Sequence, residues 1–143
     1  ENPDPETDLK VIRDYIAAVE SEDIERIASL LADDVSMAGP ENPDGLSKEQ
    51  EIERWKEIFL SQEDIEYNYV MQTFRVLTGE FTGDWVSTWG GYSFTAANGV
   101  EVSIPIHVIN RVEDGKIAAS TAYYDRMAVA ETMGYTITPP AGN

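Results

Sequence analysis

The stretch that decides the fold is residues Ile104–Asp125, which read IPIHVINRVEDGKIAASTAYYD. Two β-rich runs flank Asp114-Gly115, a dipeptide that favours a tight hairpin because both central residues of a type I′ turn need positive φ. A two-residue turn at this point pairs His107 with Ala122. Side chains alternate across a strand, so one face of the hairpin carries five residues. They are His107, Ile109, Ser120, Ala122 and Tyr124. We predict that this face forms the floor of a pocket.

The preceding strand extends the same pattern through a second turn at Asn98-Gly99. A two-residue loop there pairs Gly90 with His107, so that Gly90 and Ala122 flank the histidine and leave space for a cavity. The opposite face is apolar, and we expect it to be covered by a second copy of the chain in a homodimer. The residues expected at this interface are Trp89, Val108 and Tyr123.

Helices precede the strands. Apolar residues at three- and four-residue spacing predict helices over residues 9–19 and 24–31, and Ser47 with Gln50 forms a capping box that starts a third. A short strand is expected at residues 35–38, before a loop rich in proline and glycine. Longer strands are then expected over residues 65–78, 85–96, 100–112 and 116–127. Three helices followed by an antiparallel meander predict an α+β fold with the helices on one face of the sheet.

The ends of the chain look different from its centre. Residues 1–8 are polar, acidic and proline-punctuated, and we interpret them as a flexible tether left by a removed leader. This interpretation favours an exported protein, periplasmic or extracellular, over a cytoplasmic one. Residues 9–135 are expected to form a single domain, and residues 136–143 a frayed tail.

Composition excludes several classes of partner. The 143 residues include 27 acidic and 10 basic side chains, and the formal net charge is −17. Such a surface repels nucleic acid and anionic membranes, and no apolar run approaches the ~20 residues of a membrane-spanning helix. The chain has no cysteine, no glycine-rich phosphate loop and no zinc-ligand spacing. We therefore expect neither a metal site nor a cofactor.

The order of elements resembles the NTF2-like superfamily of cone-shaped α+β domains, especially its SnoaL-like and ketosteroid-isomerase-like members. The resemblance rests on residues Asp14–Glu25, on Leu31–Val35, and on the late pattern from Ile106 to Asp125. It spans most of the chain and implies three helices packed on a curved antiparallel sheet that encloses a pocket. This fold hosts enzymes, binding domains and assembly modules, so the resemblance is much less specific for an activity.

The steroid isomerases within this superfamily imply roles for particular positions. Tyr15 falls where they keep a tyrosine that donates a hydrogen bond to the developing oxyanion, and His107 falls at their second donor position. Their general base is an aspartate before a proline, and the residue at that position here is Gly39. Steroid isomerase activity is therefore not implied, although Glu41 or Asp44 in the same loop could replace the base.

The SnoaL-like cyclases imply a different pair, a histidine and an aspartate from the last two strands. The matching residues are His107 and Asp125, and such a pair would suit proton transfer near neutral pH. The two-residue turn, however, places Asp125 on the face opposite to His107.

Three functions remain open at this point. The first is binding of a small, apolar organic ligand, with His107 and Tyr15 as polar anchors. The second is a lyase, isomerase or cyclase using His107 and Asp125 for proton transfer, and the third is a non-catalytic interaction module. The expected pocket wall consists of Met37, Trp55, Phe59, Thr88, Tyr92, Ser120 and Tyr124.

Overall fold

A six-stranded mixed sheet is the framework of the molecule, and helices cover its inner face. The computed structural model describes residues 1–142, which form four helices and six strands. The helices are α1 Pro5–Glu20, α2 Ile24–Leu30, α3 Lys48–Ser61 and α4 Arg126–Thr132. The strands are β1 Leu31–Gly39, β2 Asn42–Leu46, β3 Gln62–Val76, β4 Gly83–Ala96, β5 Glu101–Glu113 and β6 Lys116–Tyr123.

The sheet order is β2-β1-β6-β5-β4-β3. Strands β1 and β6 are parallel and the remaining pairs are antiparallel. The predicted α+β class is thus confirmed, but the sheet is mixed rather than purely antiparallel. Two further elements were not expected: β2 forms within the proline-rich loop, and α4 follows β6 where the last strand was predicted to continue.

The first and third helices begin where local chemistry favours a helix start. Helix α1 begins at Pro5, since proline fits the first helical turn, so residues 5–8 are helical rather than part of a tether. The side chain of Asn2 is buried and donates a hydrogen bond to Asp8 at 2.8 Å. The capping box of α3 is confirmed: Ser47 Oγ accepts from the Gln50 backbone at 3.2 Å, and the reciprocal bond is 2.9 Å. Residues 136–142 contain no helix or strand, and the last residue of the predicted tail, 143, lies outside the described range.

The β4–β5 hairpin closes on three residues rather than two. The backbone N–H of Ala96 donates to the carbonyl of Val100 at 2.8 Å, and Gly99 ends the loop with a φ of +82°. The extra loop residue shifts the pairing by one position. Consequently Trp89, not Gly90, lies opposite His107.

The β5–β6 hairpin has the predicted two-residue turn followed by an unpredicted β-bulge. Val112 pairs with Ile117, but Arg111 pairs with Ala119, so Ala118 is the additional residue. Beyond the bulge, His107 lies opposite Tyr123. The expected faces are therefore correct for β6 and inverted for β5. On β5 the inner face carries Ile104, Ile106, Val108 and Asn110, whereas His107 and Ile109 lie on the outer face.

Strands β3 and β4 approach each other closely at Gly90. A Cβ atom on this residue, whose φ is +154°, would lie 2.0 Å from the carbonyl oxygen of Asn68 and 2.7 Å from Tyr69 Cα. Only glycine fits there. The helices bury the inner face elsewhere, and the most completely buried side chains are Ile12, Val19, Ile27, Leu31, Val86, Val102 and Ile117. Within residues 1–142, no helix has the length and apolar character that crossing a bilayer requires.

Candidate functional site

A cavity of about 400 Å³ lies between the helices and the inner face of the sheet. This volume falls within the range of ~300–1,000 Å³ that small-molecule pockets occupy. The wall contains six aromatic side chains from two helices, two strands and the segment directly after β6, namely Tyr15, Trp55, Tyr67, Tyr92, Phe94 and Tyr124. Of the other residues expected in the wall, Met37, Thr88 and Ser120 also line the cavity.

Four of the expected positions need correction. Phe59 lies behind the wall and stacks on Trp55, with ring centroids 5.7 Å apart. Val108 lines the cavity instead of the outer face, because the register of β5 is shifted. His107 lies on the outer face for the same reason, with its Nε2 atom 2.8 Å from Ser87 Oγ. Asp125 is exposed and caps α4, where its Oδ1 atom accepts from the Ala128 backbone at 3.1 Å. The structure does not bring His107 and Asp125 together at the cavity.

Part of the cavity floor is polar and deeply buried. Thr88, Asn110 and Ser120 lie on neighbouring positions of β4, β5 and β6 and are 2%, 5% and 6% exposed, respectively. The hydroxyl oxygen of Thr88 is buried and has no hydrogen-bond partner within the described residues. An unpartnered buried polar group costs ~1–3 kcal/mol, so a ligand that supplies a partner would recover that free energy.

Asn110 was not predicted as a site residue. The two-residue turns assumed for both hairpins placed it on the outer face. The signal that could have identified it is its type: an asparagine within a run of valine and isoleucine is unusual on a buried strand face.

The helical wall carries a connected polar cluster. Trp55 Nε1 donates a hydrogen bond of 2.8 Å to the hydroxyl oxygen of Tyr15, which joins α3 to α1. One turn earlier in α3, the carboxylate of Glu51 lies 3.2 Å from the Arg54 guanidinium, and that guanidinium lies 5.2 Å from the centre of the Trp55 ring. Residues three and four apart share a helix face, so Glu51, Arg54 and Trp55 all reach the cavity. Glu51 and Arg54 were not predicted, although Glu51 lies four residues before Trp55, a spacing that places both on one helix face.

Burial controls the protonation of this cluster. Burial raises the pKa of the Tyr15 hydroxyl far above its ordinary value, and the nearby Glu51 carboxylate raises it further. Tyr15 therefore keeps its proton, and its oxygen already accepts from Trp55, so its O–H group can donate to a bound molecule. Burial also raises the pKa of Glu51, which is 4% exposed, and the attraction of Arg54 together with a hydrogen bond from Trp55 offsets only part of this effect.

The mouth of the cavity is more exposed than its floor. The Tyr124 hydroxyl donates to Glu41 at 3.3 Å, and Arg126 lies 3.6 Å from the same carboxylate. Gly39, at the position where the isomerase resemblance implies a base, lines the cavity without a side chain. Asp44 is exposed and does not line it. Among residues 1–142 no group of three or more histidine, cysteine or carboxylate side chains is arranged to hold a metal ion.

Comparisons with known proteins agree with this architecture. A family model described as a SnoaL-like domain matches residues 12–120. A hypothetical protein of ketosteroid-isomerase-like fold from Catenulispora acidiphila, solved in complex with trimethylamine, is 17% identical with a TM-score of 0.71. The match covers 90% of this chain and 97% of that one. A candidate polyketide cyclase from Xanthomonas campestris is also 17% identical, with the same coverages and a TM-score of 0.74.

An epoxide hydrolase from M. tuberculosis is a further structural neighbour. It is 13% identical, with 91% of each chain covered and a TM-score of 0.63. No curated protein matches the chain in sequence. At these identities the structural likeness establishes the fold, and the activities of the neighbours differ among themselves.

Proposed function

The chain belongs to the SnoaL-like domain family, and from that premise we propose that its cavity binds a small, largely apolar organic molecule carrying at least one oxygen or nitrogen atom. The observation that carries the proposal is the unpartnered Thr88 hydroxyl on the cavity floor. A buried polar atom without a partner is rare in folded proteins and calls for an explanation. A ligand atom at hydrogen-bond distance provides one.

The polar anchors in this proposal differ from those expected from the sequence. Tyr15 keeps its expected role, because its O–H group faces the cavity and remains protonated. Asn110 and Thr88 take the place of His107, which lies on the other face of the sheet. The aromatic wall would contact the apolar body of the ligand. The neighbour from Catenulispora acidiphila, which was solved in complex with trimethylamine, supports the proposal that a protein of this fold can bind a small organic molecule.

The test is binding of 2-naphthol, an apolar bicyclic molecule with one hydroxyl group. Binding is monitored by changes in the NMR chemical shifts of backbone and side-chain groups. Related apolar alcohols and ketones complete the panel. We expect the largest shifts at Thr88, Asn110 and the indole N–H of Trp55. Replacing Thr88 by valine should weaken binding about fivefold, since one hydrogen bond is worth ~1 kcal/mol. Thr121→Val, on the outer face of β6, is the matched control and should leave the affinity unchanged. Shifts confined to the outer face, or equal effects of the two variants, would contradict the proposal.

We also propose that the outer face of the sheet forms a homodimer interface. Trp89 and Tyr123 lie there as expected and are 42% and 54% exposed, and Val70 on β3 beside Trp89 is 54% exposed. Exposed apolar residues clustered on one sheet face are typical of a protein–protein interface. Size-exclusion chromatography with light scattering tests this proposal, because it gives the mass in solution.

A further inference from the structure

We infer that Glu51 is the proton-transfer residue of this cavity: it removes a carbon-bound proton from an apolar ligand whose carbon is activated by a neighbouring carbonyl, nitro or imine group. The inference rests on the proposed function, since it requires that the cavity accept such a ligand. It assigns chemistry to a carboxylate on α3, a position to which no role was given on the grounds of sequence.

The first supporting observation is the location of Glu51. Its side chain lines the cavity wall and is 5% exposed, although it lies in the first turn of a helix whose other acidic residues face solvent. A carboxylate is almost never buried unless it is paired or functional. The pairing here is partial. Arg54 makes one contact of 3.2 Å and its own side chain is 29% exposed, and the Trp55 N–H that also favours the carboxylate is shared with Tyr15. One or more oxygen lone pairs of Glu51 therefore remain available to a ligand.

The second supporting observation is the set of groups around Glu51. Tyr15 presents a free O–H group close to this carboxylate, and Trp55 holds the Tyr15 oxygen at 2.8 Å. A base and a hydrogen-bond donor on the same wall suit removal of a carbon-bound proton, because negative charge develops on the ligand as the proton leaves. Arg54 is a positioning residue in this scheme: it holds the carboxylate and favours its ionised form.

The other carboxylates are less suited to this role. Glu41 is held at the mouth by Tyr124 and Arg126. Glu57 is exposed at the rim. Asp125 caps α4 outside the cavity. Among the described residues, Glu51 is therefore the buried carboxylate of the cavity wall, and burial shifts its pKa toward the operating range of a general base.

A suitable probe reaction is the ring opening of 5-nitrobenzisoxazole, which needs only a base. The carboxylate of Glu51 would take the proton from the ring carbon, and the electrons of that C–H bond would form the third bond of a nitrile. The N–O bond would break and the electron pair would leave on the phenolate oxygen, giving a coloured cyanonitrophenolate. Glu51 would then lose its proton to water, and no oxidant or co-reactant is consumed.

The experiment separates binding from turnover. 5-Nitroindazole has the shape of the probe but no N–O bond, and its affinity is measured by NMR shifts at Tyr15 and Trp55. We expect Glu51→Gln to lower the rate of ring opening about 100-fold or more, the effect typical of a lost general base, while 5-nitroindazole affinity stays within about threefold. Glu51→Asp should retain part of the rate. Glu53→Gln, on the exposed side of the same helix, carries the same change in charge and should match the wild-type rate.

The possible outcomes are distinct. If 5-nitroindazole binds in the cavity but the rate is equal in wild-type protein and in Glu51→Gln, the inference fails and the proposed function stands. An equal loss in Glu53→Gln would likewise overturn it, because the effect would then be one of overall charge. If neither 5-nitroindazole nor the alcohol and ketone panel binds in the cavity, the proposed function and the inference fail together. A rate that rises with pH to a plateau in wild-type protein, and not in Glu51→Gln, supports the inference.

Discussion

Replacing Glu51 by glutamine should stabilise the protein, and the gain should depend on pH. The carboxyl is 4% exposed, and burial raises its pKa above the ordinary value of 4.5 despite the attraction of Arg54. Below that value the residue is protonated in both folded and unfolded chains, so wild type and Glu51→Gln should share the same pH dependence. As the pH rises, the unfolded chain ionises first, and the wild-type protein loses stability until the pH passes the folded-state pKa.

The size of the gain follows from two opposing contributions. Each whole unit by which the folded pKa exceeds the unfolded pKa is worth ~1.4 kcal/mol. Desolvation of the carboxylate is the larger contribution, and the partly exposed Arg54 guanidinium cancels some of it. We expect the unfolding free energy of Glu51→Gln, relative to that of wild type, to increase by on the order of 1 kcal/mol between pH 4 and pH 8. This corresponds to about 4 °C in Tm for a chain of this size.

The assay is urea unfolding at several pH values, with the difference in unfolding free energy between variant and wild type plotted against pH. The difference removes the contribution of every other titrating group. Glu53→Gln is the control: its side chain is 67% exposed and pairs with Lys56 on the surface, so its difference from wild type should be small at every pH. If wild type instead becomes more stable relative to Glu51→Gln as the pH rises, ionised Glu51 stabilises the fold, and the inferred cost of burying this carboxylate is refuted.

Three further predictions concern other parts of the molecule. Gly90→Ala should cost about 3 kcal/mol or more of unfolding free energy, because its Cβ would overlap the backbone of β3, whereas Gly91→Ala, whose Cβ meets one atom at 4.0 Å, should fold well in the same urea assay. Tyr15→Phe should cost ~1–3 kcal/mol, because it removes the buried hydrogen bond that joins Trp55 of α3 to α1, and it should weaken 2-naphthol binding; a thermal melt identical to that of wild type would contradict this. Trp89→Asp should halve the mass measured by light scattering while cavity binding persists, and an unchanged mass would exclude the outer face as the interface.

Local signals in the sequence predicted the helices and the class of fold. The capping box at Ser47 marked the start of α3, and the apolar spacing of Ile12, Ile16 and Val19 marked the buried face of α1. These signals depend on residues only a few positions apart, so they can be recognised without knowledge of the tertiary structure. Helix α4 was missed because Asp125 was interpreted as a strand residue, although aspartate is also a common N-cap.

The site was predicted less completely because strand register depends on single residues. One additional residue in the β4–β5 loop and one bulge at Ala118 each move the pairing by one position. A one-residue shift exchanges every side chain between the two faces of a strand. The alternation along β5 itself could have corrected the error. Its even-numbered positions from Val102 to Val112 are apolar except for Asn110, whereas its odd-numbered positions are largely polar, with Glu101, Ser103, His107, Arg111 and Glu113.

Three buried polar groups with unused hydrogen-bonding capacity line the cavity, one on the sheet and two on the helices. Thr88 has a buried hydroxyl without a partner, Glu51 is a buried carboxylate only partly satisfied by Arg54 and Trp55, and Tyr15 is a buried phenol whose proton is unused. Each lowers the stability of the free protein, and each is an unmet hydrogen-bonding capacity that faces the same cavity. Folded proteins tolerate such groups chiefly where a ligand or a reaction uses them. His107 and Ser87, by contrast, satisfy each other on the outer face. The distribution of unsatisfied groups therefore supports the proposal that the cavity, with Glu51 and Tyr15 in its wall, is the functional site.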